Sequence, residues 1–199
     1  MSQRPALGCL FEIVETLVLT LIIFFVIQNF VAQPYKVQQQ SMERTLEPEQ
    51  YVLVDKLTPR FDSYKRGDIV VFHPPPDWGS EATPFIKRVI GEPGDVVEIR
   101  DDGLVYIDDE PLEEPYVYSD EPGGPPQATT APLEQARWTI GENEYFLMGD
   151  HRSNSADSRT FGPVEGDQVI GRAWLRYWPI DTFGVLVTPT YADPAPAAP

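Results

Sequence analysis

A serine hydroxyl is a weak nucleophile until a base within hydrogen-bond reach takes its proton, and this sequence offers Ser41 two candidate bases, Lys87 and His151. Ser41 opens the stretch Ser41-Met42-Glu43-Arg44-Thr45-Leu46. The residues leading into it, from Tyr35 to Gln40, suit a strand on which Tyr35, Val37, Gln39 and Ser41 share one face, since strand side chains alternate with period two. The hydroxyl then stands at the rim of a sheet. Lys87 lies in Phe85-Ile86-Lys87-Arg88-Val89-Ile90, with apolar groups on both faces. Burial among such neighbours disfavours the ammonium form, and a neutral lysine can accept the serine proton. The same pattern fits a lysine whose stem covers apolar surface while its head stays in water. His151 with Asp150 or Asp157 would make a serine–histidine–aspartate set, but aspartates are so plentiful here that the set has little specificity.

The run from Gly149 to Val164 is the densest polar stretch. In it Asp157 and Arg159 can pair and hold the loop in one shape, and Ser155 can hydrogen-bond a neutral lysine and orient it. A plain surface loop rich in turn formers has the same composition.

The elements that must position these groups are mostly strands. Tyr51–Leu57, Ile69–Phe72, Phe85–Ile90, Val96–Ile99, Leu104–Ile107, Glu144–Met148 and Val169–Trp178 are β-branched or aromatic runs bounded by turn residues. Asp101-Asp102-Gly103 joins two of them as a hairpin. Helical periodicity outside the N-terminal region is scarce, so the fold expected is mostly β behind one N-terminal helix. From 108 to 137 the composition turns to Pro, Gly, Glu and Asp, which suggests a long surface excursion with little regular structure. Residues 188–199, rich in Pro and Ala, are expected to be disordered.

Before the strands, Leu10–Val31 is long enough to cross a bilayer, with Glu12 and Glu15 in its first turns. A cleaved signal peptide would be shorter and end in a small-x-small site, which Phe30-Val31-Ala32 does not supply. Residues 1–32 are therefore expected to be a cytoplasmic tail and an uncleaved anchor, with a domain over 33–187 on the extracytoplasmic side of the plasma membrane. The net charge of −16, from 31 acidic and 15 basic residues, argues against nucleic acid as a partner. Cys9 is the one cysteine, which excludes an intrachain disulfide and a thiolate metal cluster. With His73 and His151 in no ligand spacing, metal catalysis is not expected.

In their order, these segments resemble the type I signal peptidases, membrane-anchored serine proteases that remove signal peptides from exported preproteins. SMERTL looks like the family's nucleophile box, YVLVDKL with RGDIVVF like the two strands after it, FIKRVIGEPGD like the general-base lysine box, and GDHRSNSADSRTFGPV like the closing motif. The resemblance implies Ser41 as nucleophile, Lys87 as general base, Ser155 as the group orienting the lysine, and Asp157 with Arg159 as a supporting pair. It also implies cleavage after small residues at the −1 and −3 positions, with no cofactor and no metal. Tyr35, Val37, Met42, Leu46, Phe85 and Ile86 are then expected to line the pockets, with the bilayer and signal peptides as partners. Three positions depart from the family pattern: Arg44 stands for a proline, Gln39 for a Ser, Thr or Gly that helps form the oxyanion hole, and His151 for an asparagine. The glutamine NH2 can still donate. The competing expectation is a membrane-tethered binding domain of the same fold that has lost catalysis.

Overall fold

The computed structural model of the chain describes residues 4–78, 83–132 and 135–191. Its apolar segment is a helix, α1 (Arg4–Val26), that widens into a last turn over Ile27–Val31. Side chains from Leu10 to Phe30 are exposed on every side. A helix that is apolar all round and uncovered by protein matches a lipid environment. Thr16 and Thr20 turn their hydroxyls back onto the carbonyls of Glu12 and Thr16, so neither hydroxyl is left without an acceptor. Residues 1–3 of the expected tail lie outside the described residues.

Twelve strands follow among the described residues. They are β1 (Ala32–Lys36), β2 (Tyr51–Asp55), β3 (Ile69–Phe72), β4 (Phe85–Gly91), β5 (Val96–Ile99), β6 (Val105–Ile107), β7 (Glu110–Pro111), β8 (Arg137–Thr139), β9 (Glu144–Met148), β10 (Val164–Glu165), β11 (Val169–Trp178) and β12 (Gly184–Val185). The larger sheet runs β1-β2-β11-β3-β4-β9-β10 with β12 on the side of β11, and the smaller runs β7-β6-β5-β8. β4 is central: it pairs with β3 on one side, Val70 opposite Lys87, and with β9 on the other, Met148 opposite Arg88. The mostly β architecture expected from the apolar runs is the one observed. The Asp101-Asp102-Gly103 hairpin forms as well, with Gly103 at φ +80° where a Cβ is disfavoured.

Three expectations are corrected. The strand before Ser41 stops at Lys36, and Gln40–Met42 form a single tight helical turn. Burial there does not alternate: Val37 and Ser41 are buried while Gln39 is exposed. The excursion over 108–137 has the little regular structure expected, β7 apart, but its described residues are anchored to the core and not merely laid on the surface. Tyr116 and Val117 join the core formed by β5, β6, β8 and β9, and Thr129 is 2% exposed. Polar composition hid it because its burial rests on a few residues and on ion pairs. The expected disordered tail is held at its start, where Thr188 donates to Asp68 and Tyr191 packs beside Tyr116; residues 192–199 lie outside the described residues.

Candidate active site

Lys87 and Arg88 are adjacent on a strand, so they point to opposite faces of the sheet. Each is 1% exposed, and each finds polar partners on its own face. On one face Lys87 Nζ lies 2.7 Å from Ser41 Oγ and 3.3 Å from the Ile86 carbonyl, with the Phe85 ring 5.3 Å away. Burial pushes the Lys87 amine down to about 8, against the opposing pull of the Asp157 and Asp150 carboxylates. With the amine neutral, the Ser41 hydroxyl can donate to it across the same short gap.

On the other face Arg88 grips Asp150 with two bonds, Nε to Oδ1 at 2.8 Å and an NH2 group to Oδ2 at 2.7 Å, and its guanidinium lies 3.9 Å from the centre of the Tyr116 ring. Asp150 also accepts from Thr45, four residues after Ser41. The pair thus fastens the β9 end to the turn that carries Ser41.

Directly after Ser41 the chain makes a type II β-turn over Met42–Thr45. Glu43 has φ −51° and ψ 149°, Arg44 has φ +82°, and Thr45 N–H donates to the Met42 carbonyl at 3.1 Å. Proline, whose φ is fixed near −65°, cannot occupy position 44 in this conformation, which accounts for the departure at Arg44 here. Arg44 is held by a bond to the Val117 carbonyl.

The loop after β9 closes the site from behind. His151 N–H donates to the Ser41 carbonyl at 3.0 Å. At Gly149 an added Cβ would collide with both that carbonyl and Ser155 Oγ, so only glycine allows the loop this close. Asp157 is fully buried, caps the short helix α2 (Ser158–Phe161), accepts from Gly149 N–H at 3.1 Å and pairs with Arg159 at 2.8 Å. Burial alone would raise its carboxyl, but the Arg159 contact and the Gly149 N–H outweigh that and hold it below the usual range. Arg159 in turn donates to the Arg152 carbonyl, and Arg152 pairs with Glu114 at 2.6 Å and bonds Thr129, both in the excursion.

The other expected site residues divide. Tyr35, Val37, Gln39, Phe85 and Ile86 surround a cavity of about 30 Å³, room for a small side chain. It adjoins an open cleft lined by Gln39, Ser41, Ser153, Asn154 and Ser155. Met42 and Leu46 do not line it. Both are fully buried against Val52, Val54 and Ile69, so they brace the turn from beneath. Ser155 makes no hydrogen bond to Lys87; its Oγ is buried without a partner among the described residues. His151 does not reach the Ser41 hydroxyl by a hydrogen bond either: its Nδ1 bonds Glu43 Oε2 at 2.7 Å. The residues missed from sequence are Arg88 and Asp150 as a structural pair, Gly149, and Glu43. One signal was available, a second cation beside Lys87 in an apolar strand, which must also be buried.

Known proteins match this chain over most of its length. A family model described as signal peptidase, peptidase S26, matches residues 10–178. A signal peptidase I of Leptolyngbya laminosa is 35% identical over 192 residues, covering 94% of this chain and 89% of that protein. Signal peptidase IB of Staphylococcus aureus is 31% identical, covering 87% of this chain and 92% of its own length. A crystal structure of a signal peptidase I from Enterococcus faecalis superposes with a TM-score of 0.41 at 33% identity, over 56% of this chain and 97% of that one.

Proposed function

The chain belongs to the signal peptidase family S26, and on that premise we propose that it is a membrane-bound serine endopeptidase that removes signal peptides with a Ser41–Lys87 dyad. The observation that carries this is the 2.7 Å contact between Ser41 Oγ and a lysine amine that is 1% exposed and shifted toward neutrality. Neutral Lys87 takes the hydroxyl proton as Ser41 attacks the scissile carbonyl. The lysine then passes that proton to the leaving amine, and the acyl-enzyme is released by a water that the same lysine activates. The Ser155 hydroxyl, buried beside the cleft and without a partner, is the group proposed to steady the amine as Ser41 becomes engaged. Asp157 and Arg159 keep that loop in shape.

In this proposal the substrate adds as an extended strand along the cleft. The small cavity beside Tyr35, Phe85 and Ile86 restricts it to small side chains at the −1 and −3 positions. The helix α1 sits in the plasma membrane with the N-terminus cytoplasmic and the strands outside, so enzyme and membrane-held preprotein meet in one plane. The chemistry needs no cofactor.

The test is incubation of the purified protein with a preprotein and mapping of the cut by mass spectrometry across pH. The expected product ends in a small residue with another two positions before it. The rate should climb about tenfold per pH unit below 8 and level off above, as the Lys87 amine loses its proton. A rate set by a group titrating near 6.5, and abolished by changing His151, would assign the base to the histidine instead.

Gln39 has a separate expected effect. It borders both the small cavity and the cleft beside Ser41, so its amide is proposed as an oxyanion donor alongside the Ser41 N–H. Gln39→Ala is expected to lower kcat roughly tenfold to a thousandfold while KM changes less. If Gln39 only narrows the cavity, kcat on an alanine substrate stays put and valine substrates begin to be cut. Steady-state kinetics on the matched pair separate the outcomes.

A further inference from the structure

The turn directly after Ser41, over Met42–Thr45, is not one its own residues prefer. A type II turn wants glycine or asparagine at its third position, and here Arg44 sits there at φ +82°. Such a conformation persists only where neighbours over-determine it. Arg44 is tied to Val117 and Thr45 to Asp150. The other central residue, Glu43, has its side chain held by His151 alone among the described residues: Nδ1–H donates to the Glu43 carboxylate at 2.7 Å, with both side chains mostly buried, at 13% and 16% exposure. The imidazole is fixed in turn from its flat side. Tyr118 stacks on it with ring centres 4.1 Å apart and planes within 18°. Tyr118 belongs to the acidic excursion and is itself anchored, its N–H donating to the Asp150 carbonyl at 2.9 Å and its carbonyl accepting from Gln127 N–H at 2.8 Å. Through its own backbone His151 also bonds the Ser41 carbonyl.

We propose that His151 is a positioning residue for Ser41: held between Glu43 and Tyr118, it locks the nucleophile's turn to the loop behind the site. The proposal rests on Ser41 being the nucleophile. It gives the 108–137 excursion a part in the reaction, as the far jaw of a clamp, although none of its residues borders the dyad. Losing the grip on Glu43 lets the turn relax from its strained shape. The 2.7 Å alignment of hydroxyl and amine is what then suffers, and a misplacement of about 1 Å is worth roughly a hundredfold in rate.

The experiment uses the full chain in detergent micelles with a preprotein substrate. His151→Phe keeps a ring against Tyr118 and removes the contact to Glu43; Glu43→Ala removes it from the other side. Each is expected to lower kcat about tenfold to a hundredfold with KM within about twofold. The double variant should be no slower than the slower single, because both break one contact. Thermal melts accompany each variant, and if His151→Phe does not fold, Glu43→Ala carries the test. Wild-type kcat in the folded variants, or effects that multiply in the double, overturns the proposal. So does loss as complete as that of Lys87→Ala in His151→Phe alone, which would make the histidine the base. Ser41→Ala run beside them keeps the premise separate: if it still cuts, the nucleophile assignment fails, and if it is inactive while the clamp variants are unimpaired, only the positioning role fails.

Discussion

Lys87→Met is expected to abolish preprotein cleavage and, at pH 7, to raise the melting temperature. The first effect follows from the proposed dyad. Nucleophile and base act as a unit, so losing either removes nearly all the rate, and Ser41→Ala should do the same. The second follows from where the amine is kept. Its pKa is about 8 in the fold and 10.5 in the open chain, so between those values the unfolded state binds more protons and stability rises with pH. Below about 8 the amine is charged in both states and the fold bears the full cost of a buried ammonium. Methionine has a similar length and no charge, so the variant should melt several degrees higher at pH 7. The gain should shrink as pH rises from 8 toward 10.5. Melts across that range check it; a variant that melts lower than wild type at pH 7 would mean the lysine is stabilised by its surroundings and is no poised base.

Asp150→Ala has the largest expected cost to the fold. It leaves the Arg88 guanidinium, 1% exposed, without its carboxylate and frees the Thr45 hydroxyl. Removing one partner of a buried pair costs about 3–5 kcal/mol, a fall of roughly ten degrees or more in melting temperature for a domain of this size. Activity should fall as well, since the nucleophile's turn hangs from the same carboxylate. Replacing both partners, as Arg88→Met with Asp150→Leu, should recover much of the lost stability while leaving the Thr45 hydroxyl untethered and activity low. If the double variant is as unstable as Asp150→Ala, the loss lies in something other than the stranded charge.

What could be read from the sequence follows the length and strength of each local pattern. Runs such as Ile69–Phe72 and Val169–Trp178 were legible as strands because β-branched and aromatic residues crowd them, and both appear with the expected limits. Lys87 stood out because an apolar strand surrounds it. Its neighbour Arg88 carried the same signal and is equally buried. The approach to Ser41 was misread because Val37, Gln39 and Ser41 mimic alternation, while the tight turn over Gln40–Met42 is set by contacts more than a hundred residues away, His151 to the Ser41 carbonyl and Asp150 to Thr45. The anchoring of the excursion was missed for a related reason. Its two buried apolar residues, Tyr116 and Val117, in a run of Pro, Gly and acid leave no periodicity, and the ties through Glu114 and Thr129 are to an arginine far along the chain.

The junction between helix and sheet has a mechanical consequence. Strand β1 begins at Ala32, directly after the last helical turn at Val31, and Lys56 N–H bonds the Val31 carbonyl across it. A slack leash would let the cleft sweep freely over a membrane surface; here no linker residue separates helix from strand. The five residues of β1 reach at most about 17 Å, so in the proposed reading, with α1 in the bilayer, Ser41 is kept at one altitude. A preprotein rising from the same bilayer would then have to bring its scissile bond to that height. On that proposal the stretch between the end of its apolar segment and its cut is measured as if by a ruler, and a preprotein with the right small residues at the wrong distance is expected to go uncut.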